Sequence, residues 1–204
     1  MAKWYAANTR KSLNDFKTLA RQVADELRPG SRVLEVAPGP GYFAIELAKL
    51  GDYQVDGLDI SRTFVEIAHR NAREANVDVA FQQGNASSMP YADESFDYIL
   101  CRAAFKNFAE PVKALQEMCR VLKPGGQGLL IDLRRDASRE AVHRMMAELG
   151  MSPLNSLFTR LTFRFMLLKR AYTGEEFKRF FAQTKFRSVK FEESLTGFEI
   201  YFER

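Results

Sequence analysis

Five short apolar runs, Arg32–Ala37, Gln54–Asp59, Asp78–Gln83, Phe96–Cys101 and Gly128–Leu133, punctuate the first two thirds of the chain. Each is too short for a helix and reads as a strand, and longer stretches of helical spacing lie between several of them. Strands alternating with such stretches make βαβ units, so the chain must build a parallel sheet with helices on its faces. The helix signals agree with this. Ser61 is placed to cap a helix running to about Ala75, and a helix from about Pro111 to Leu122 stops at Lys123-Pro-Gly-Gly126.

The alternation breaks after Leu133. Residues 136–171 read as two helices joined around Gly150–Pro153, and Thr173 caps a short helix, Gly174–Ala182. Two last runs, Ser188–Glu192 and Phe198–Phe202, are joined by Ser194–Gly197, short enough for an antiparallel hairpin. At 204 residues the chain fits one domain. The expected division is cap helices over 1–30, a cofactor-binding core over 31–135, a helical insert over 136–171, and the last helix and hairpin over 172–204. No apolar run approaches the roughly 20 residues that span a bilayer, and the N-terminus has no signal-like apolar stretch, so a cytoplasmic protein is expected. Cys101 and Cys119 fall in a strand and a helix, which argues against a disulfide, and His69 and His143 form no ligand-spaced cluster, so no metal is expected.

Charge is unevenly spread. Residues 1–32 hold seven Lys/Arg against three Asp/Glu, and residues 134–170 hold eight against three, within a net charge of +4. The remainder is acidic. Such basic segments either attract an anionic substrate or surface, or are simply solvated helix faces.

The segment that carries chemistry is Pro38-Gly39-Pro40-Gly41, which follows a buried strand and opens a helix. Glycines there allow close backbone approach to a ligand, with amide N–H groups facing it. Eighteen residues on, Asp59 closes the second strand, where a carboxylate can accept hydrogen bonds from both hydroxyls of a ribose. As a strand-end group it is expected to matter little to the stability of the free protein. Gly39-Pro-Gly-Tyr-Phe-Ala44 also satisfies the dinucleotide fingerprint, so these residues alone leave a nicotinamide-dependent oxidoreductase open. That reading lacks a Tyr-x-x-x-Lys relay. A non-catalytic cofactor-binding or nucleic-acid-binding module is a further alternative; the pI of 9.1 permits it, but no nucleic-acid motif accompanies it.

Four segments in order resemble the class I S-adenosylmethionine (SAM)-dependent methyltransferases, in particular the small-molecule branch that includes the quinone-biosynthesis enzymes. They are Val33-Leu-Glu-Val-Ala-Pro-Gly-Pro-Gly41, Leu58-Asp-Ile-Ser61, Gly84-Asn-Ala86 with Met89–Asp97, and Arg120-Val-Leu-Lys-Pro-Gly-Gly126. The resemblance implies an α/β fold: a doubly wound, Rossmann-like, seven-stranded sheet of order 3-2-1-4-5-7-6, strand 7 antiparallel, with a helical insert after strand 5. It implies SAM as cofactor and a small apolar or anionic methyl acceptor held over the carboxyl ends of strands 4 and 5. It assigns the cofactor to Tyr5, Glu35, Ala37, Pro38, Gly39, Gly41, Asp59, Ile60, Asn85, Ala86 and Arg102. It assigns the acceptor and its lid to Trp4, Phe105, Lys106, Arg134, Phe163 and Phe165. Arg102 and His143 are the candidates for a catalytic role.

Two positions depart from the family pattern. Ala37 stands where the family has glycine, which is tolerable if its φ is negative. Asn85 replaces an acidic residue and can still offer a carbonyl oxygen to the adenine amino group. Arg102 and Lys106 either bind an anionic acceptor or, in the case of Lys106 especially, face solvent. Ser156–Arg170 is either an apolar pocket wall with a basic rim, a membrane-surface helix, or an ordinary core-facing helix.

Overall fold

The computed structural model describes residues 13–138, 140 and 169–204. The expected lid residues Trp4, Tyr5, His143, Phe163 and Phe165, and most of the 136–171 insert, lie outside the described residues.

β1 (Arg32–Val36), β2 (Gln54–Asp59) and β4 (Phe96–Arg102) are largely buried on both faces because helices cover both sides of a parallel sheet. With β3 (Ala80–Gln83), β5 (Leu122–Leu133), β6 (Ser188–Glu193) and β7 (Gly197–Glu203) they form one seven-stranded sheet of order β3-β2-β1-β4-β5-β7-β6. β7 runs antiparallel to both β5 and β6, and the expected order and sense of the strands are those observed.

The sheet separates two apolar layers. On one face α1 (Leu13–Glu26), α2 (Tyr42–Ala48) and α3 (Arg62–Ala75) cover a core that includes Phe16, Val33, Phe43, Phe81 and Leu100. On the other, α4 (Pro111–Val121) and α5 (Gly174–Phe181) cover Leu34, Ile99, Leu115, Phe177 and Phe202. Local chemistry sets the helix starts. The Ser61 hydroxyl accepts the Phe64 N–H, Thr173 and Glu176 form a reciprocal capping box, and Pro111 occupies the first turn of α4. Among the described residues no helix is long and apolar enough to cross a membrane.

One boundary differs from expectation. α4 does stop before Lys123-Pro-Gly-Gly126, but that stretch is the irregular beginning of β5 rather than a free turn. Its register against β4 shifts between Phe96 and Tyr98. Gly125, at φ 75°, donates to the Arg204 carbonyl at 2.7 Å, while the Arg204 N–H donates to the Gly126 carbonyl. Pairing with residue 204, far away in sequence, thus draws the turn into the sheet.

Candidate cofactor and acceptor site

β1, β2 and β4 end side by side. Val36 pairs with Leu58 on one flank and with Cys101 on the other, so the next residues, Ala37, Asp59 and Arg102, line up across three neighbouring strand ends. This is where an open α/β sheet binds ligands, at the point where strand order reverses. The acidic second-strand residue, the glycine turn and Arg102, scattered in sequence, are therefore one place in space.

The turn is shaped by its own hydrogen bonds. The Ala37 N–H donates to the Leu58 carbonyl (2.8 Å), the Gly39 N–H to Asp59 Oδ2 (3.0 Å) and the Gly41 N–H to the Pro38 carbonyl (3.0 Å). Pro38 and Pro40 have no N–H to give. Asn71 of α3 ties the turn down from outside by donating to the Pro40 carbonyl at 2.9 Å. So no amide from 37 to 41 is left facing a ligand, contrary to the expectation from sequence. Gly41 is at φ 78° and packs so closely that a Cβ there would lie 2.6 Å from the Phe81 ring.

Ala37 is at φ 59°, not the negative value expected. The hydrogen bond to Leu58 and the sharp turn after β1 hold it in the left-handed region, where a Cβ costs roughly 1–2 kcal/mol. Ala103, directly after Arg102, is held likewise at φ 57°. Ala37→Gly is expected to raise unfolding free energy by about 0.5–1 kcal/mol, the relief of strain less the added chain entropy. Urea titration checks this, and a loss of stability in the Ala37→Gly variant would contradict it.

Asp59 is buried, not a loose strand-end group. Oδ2 accepts from Gly39 and Oδ1 accepts the Ser61 N–H at 2.8 Å. Burial pushes its carboxyl above the usual range, against the pull of those two bonds. Glu35 lies on the same sheet face, wholly enclosed, and its Oε2 accepts the Ala44 N–H in the first turn of α2 at 3.1 Å. Burial drives its carboxyl up to about 8, with the Ala44 bond and the nearby Arg102 charge acting in the other direction. Ile60 stands 70% exposed beside Asp59, a bare apolar surface next to a buried acid. On the far flank Asn85 is exposed; its Oδ1 already accepts the Ser87 N–H at 2.9 Å, so one lone pair is left for a ligand.

The acceptor side differs from expectation. Lys106 does not face solvent: its ammonium donates to Asp132 Oδ1 at 2.9 Å and to the Ala103 carbonyl, in an enclosed ion pair. Phe105 is fully buried among Phe108, Tyr172 and Phe177. Neither side chain is open to an acceptor; together they form the floor under the β4 end. Arg134 is spent on Asp136, Glu193 and the face of Phe198, which hold β5 to the hairpin. Cys101 is fully buried and its thiol is pushed well above the ordinary range, first by burial and then by the Asp132 charge, so it supplies no thiolate. Sequence reasoning missed Phe16, whose ring carries Arg102, and Asp132, the partner of Lys106. A lone acid within Leu-Leu-Ile-Asp-Leu was the available signal for the second.

A cavity of about 370 Å3 lined by Gln116, Cys119, Arg120, Gln183, Thr184, Lys185 and Arg204 lies elsewhere. It sits at the other end of the sheet, where β4 and β5 begin, and its arginines are paired with Asp93, Glu117 and Glu94.

Comparison with known proteins agrees with this geometry. Residues 34–130 match the methyltransferase domain family. A demethylmenaquinone methyltransferase of Deinococcus radiodurans is 39% identical over 108 residues, which is 52% of this chain and 45% of that protein. The chain spans somewhat under half the length of the curated relatives it matches in this way. The structure of the YcgJ protein of Bacillus subtilis is 29% identical with a TM-score of 0.64, covering 90% of this chain and 71% of that one. A SAM-dependent methyltransferase of Aquifex aeolicus shares the fold with a TM-score of 0.69 at 20% identity, covering 94% and 97% of the two chains.

The cosubstrate of that family is SAM, and the strand ends fit it. A buried acid flanked by an apolar surface suits a ribose and its base, and the Arg102 guanidinium beside the buried Glu35 carboxyl suits an amino-acid end. Residues 34–130 thus match the methyltransferase domain, within a sheet that has the strand order expected of the class I SAM-dependent methyltransferases.

Proposed function

We propose that this chain transfers a methyl group from SAM to a small-molecule acceptor, and that the acceptor is a quinone-type aromatic ring. The observation that carries the donor half is the row of Ala37, Asp59 and Arg102 across three strand ends, beside a turn whose amides are all spent. A pyrophosphate at a helix N-terminus needs free N–H groups. A ribose and an amino acid need side chains instead, and those are what this site offers, which favours SAM over a nicotinamide dinucleotide. The acceptor half rests on the likeness to the demethylmenaquinone methyltransferase of Deinococcus radiodurans.

When bound, SAM supplies an activated methyl on a sulfonium, so the protein's task is placement. In this reading Asp59 accepts from the ribose hydroxyls, Asn85 and Ala86 border the adenine, and Ile60 packs on its face. Glu35 and Arg102 sit below the amino-acid end, with Pro38, Gly39 and Gly41 setting the turn around it. The acceptor lies over the ends of β4 and β5. Tyr5, assigned to the cofactor by the resemblance, and Trp4, Phe163 and Phe165, assigned to the acceptor, lie outside the described residues. An activated ring carbon or hydroxyl loses a proton on methylation, and His143 is kept as the candidate that receives it.

Calorimetry is expected to give micromolar binding of SAM and of S-adenosylhomocysteine, and none of NAD. Mass spectrometry is expected to show a CH2 gain on a reduced, unmethylated naphthoquinone when SAM and the protein are both present. Tight NAD binding without SAM binding would end the methyltransferase reading; SAM binding without a methylated quinone would end the acceptor half only.

A further inference from the structure

The cavity at the amino end of the sheet has no part in the site at the carboxyl ends. Three elements wall it: the last turns of α4 with Gln116, Cys119 and Arg120, the link from α5 to β6 with Gln183 and Lys185, and Arg204 just past β7. Hydrogen bonds tie these elements to one another. Gln116 Nε2 donates to the Gln183 carbonyl at 3.1 Å, the Lys185 N–H donates to the Cys119 sulfur, and the Arg204 guanidinium donates to the Arg120 and Leu122 carbonyls. The walls are thus set before anything enters. A volume of about 370 Å3 is far more than the roughly 30 Å3 share of one water and falls in the range of small-molecule sites.

Its charge is one-sided. Arg120, Lys185 and Arg204 line it, and no Asp or Glu does. The carboxylates that pair with the two arginines, Asp93, Glu94 and Glu117, lie outside the lining. The Lys185 side chain is exposed, and its ammonium has no hydrogen bond or ion pair among the described residues. Two helices end here, and open carbonyls at a helix C-terminus repel anions. In this place those carbonyls are engaged. Arg204 takes those of Arg120 and Leu122, the Ser95 N–H takes that of Val121, and Thr184 takes that of Phe181. On the inner wall burial pushes the Cys119 thiol up, and the charges that act against this, Arg204 and Lys185, are both positive.

The wall also offers acceptors. The Gln116 amide nitrogen is spent on the Gln183 carbonyl and the Gln183 amide nitrogen on the Arg179 carbonyl (2.9 Å), which leaves both side-chain oxygens for a hydroxyl. Both guanidinium groups are already engaged, so the free cation is the point charge of Lys185, which suits a phosphate better than a planar carboxylate.

We propose that this cavity binds a small phosphate ester carrying hydroxyl groups, with Lys185 on the phosphate and Gln116 and Gln183 on the hydroxyls. The proposal stands apart from the methyltransferase reading, because the cavity and the row of Ala37, Asp59 and Arg102 lie at opposite ends of the sheet.

Calorimetry on the full chain tests it, with ribose 5-phosphate as the probe and ribose and inorganic phosphate beside it. The ester binds more tightly than either fragment, and saturating S-adenosylhomocysteine leaves its affinity within about twofold. Lys185→Gln weakens the ester by about three- to fivefold, the size of one solvent-exposed charge pair, and Lys185→Arg restores it. Gln116→Leu weakens the ester and leaves inorganic phosphate unchanged. Thermal melts of the same variants show that the fold is kept. Absence of ester binding, an unchanged affinity in Lys185→Gln, a fragment that binds as tightly as the ester, or displacement by S-adenosylhomocysteine each overturns the proposal.

Discussion

Lys106→Met is expected to lower the free energy of unfolding by about 3–5 kcal/mol, the largest loss foreseen for any single side chain away from the apolar core. The two side chains are 4% and 0% exposed, so the Lys106–Asp132 pair lies out of reach of water. Asp132 would keep the Lys106 and Leu133 backbone N–H bonds, at 2.9 and 2.8 Å, but not its counter-charge. A carboxylate stranded in that place costs more than the pair contributed, because the attraction had offset two desolvation penalties. The companion experiment is the double variant Lys106→Met with Asp132→Asn, which removes both charges, keeps an amide oxygen to accept a backbone N–H, and is expected to recover most of the loss. Urea denaturation of wild type, single and double variants decides it. A single variant within about 1 kcal/mol of wild type, or a double variant no better than the single, contradicts the account.

Asp59→Ala is expected to fail twice over. S-adenosylhomocysteine binding should weaken by about 10- to 100-fold, since each bond from a ribose hydroxyl to a carboxylate is worth roughly 1.5–3 kcal/mol. The ligand-free protein should also lose about 2–4 kcal/mol, because the Gly39 and Ser61 N–H groups are left without acceptors in a buried place. In a chain of this size that moves the thermal midpoint by on the order of 10 °C. Asp59→Asn separates the two losses. Its amide oxygen can still accept one of the N–H groups, so stability falls less, while the charge that strengthens the ribose bonds is gone. Calorimetry and thermal melts on the same samples read both effects. Unchanged ligand affinity in the Ala variant would take Asp59 out of the site, and an unchanged melting point would mean that water replaces the carboxylate.

The strands were legible because they depend on one-dimensional signals, whereas their order was implied by the resemblance to the methyltransferases. Apolar runs of strand length, Ser61 and Thr173 as caps, and a short Ser194–Gly197 link each act over a few residues. The glycine turn and the acid that closes β2 were legible because a sharp turn and an acid at a strand end need particular residue types at particular places. What stayed hidden was pairing across distance. Nothing in the order of residues tells that Lys106 finds Asp132 and withdraws from solvent, that Arg134 is consumed by Asp136 and Glu193, or that Arg102 rests on Phe16. The same holds for backbone angles. Alanine gives no hint of a positive φ, and only the hydrogen bonds that trap Ala37 and Ala103 impose it.

The self-bonded turn from Ala37 to Gly41 has a kinetic meaning as well. Its shape is fixed before any ligand arrives, so it loses little freedom on binding and has no closed state to adopt. A segment that neither opens nor shuts cannot meter the escape of a product. If turnover is limited by release, as it is in many enzymes, the governing motion belongs to elements that touch the site without being sewn to it. Helix α1 is the first of these, meeting Arg102 through the face of a single phenylalanine ring.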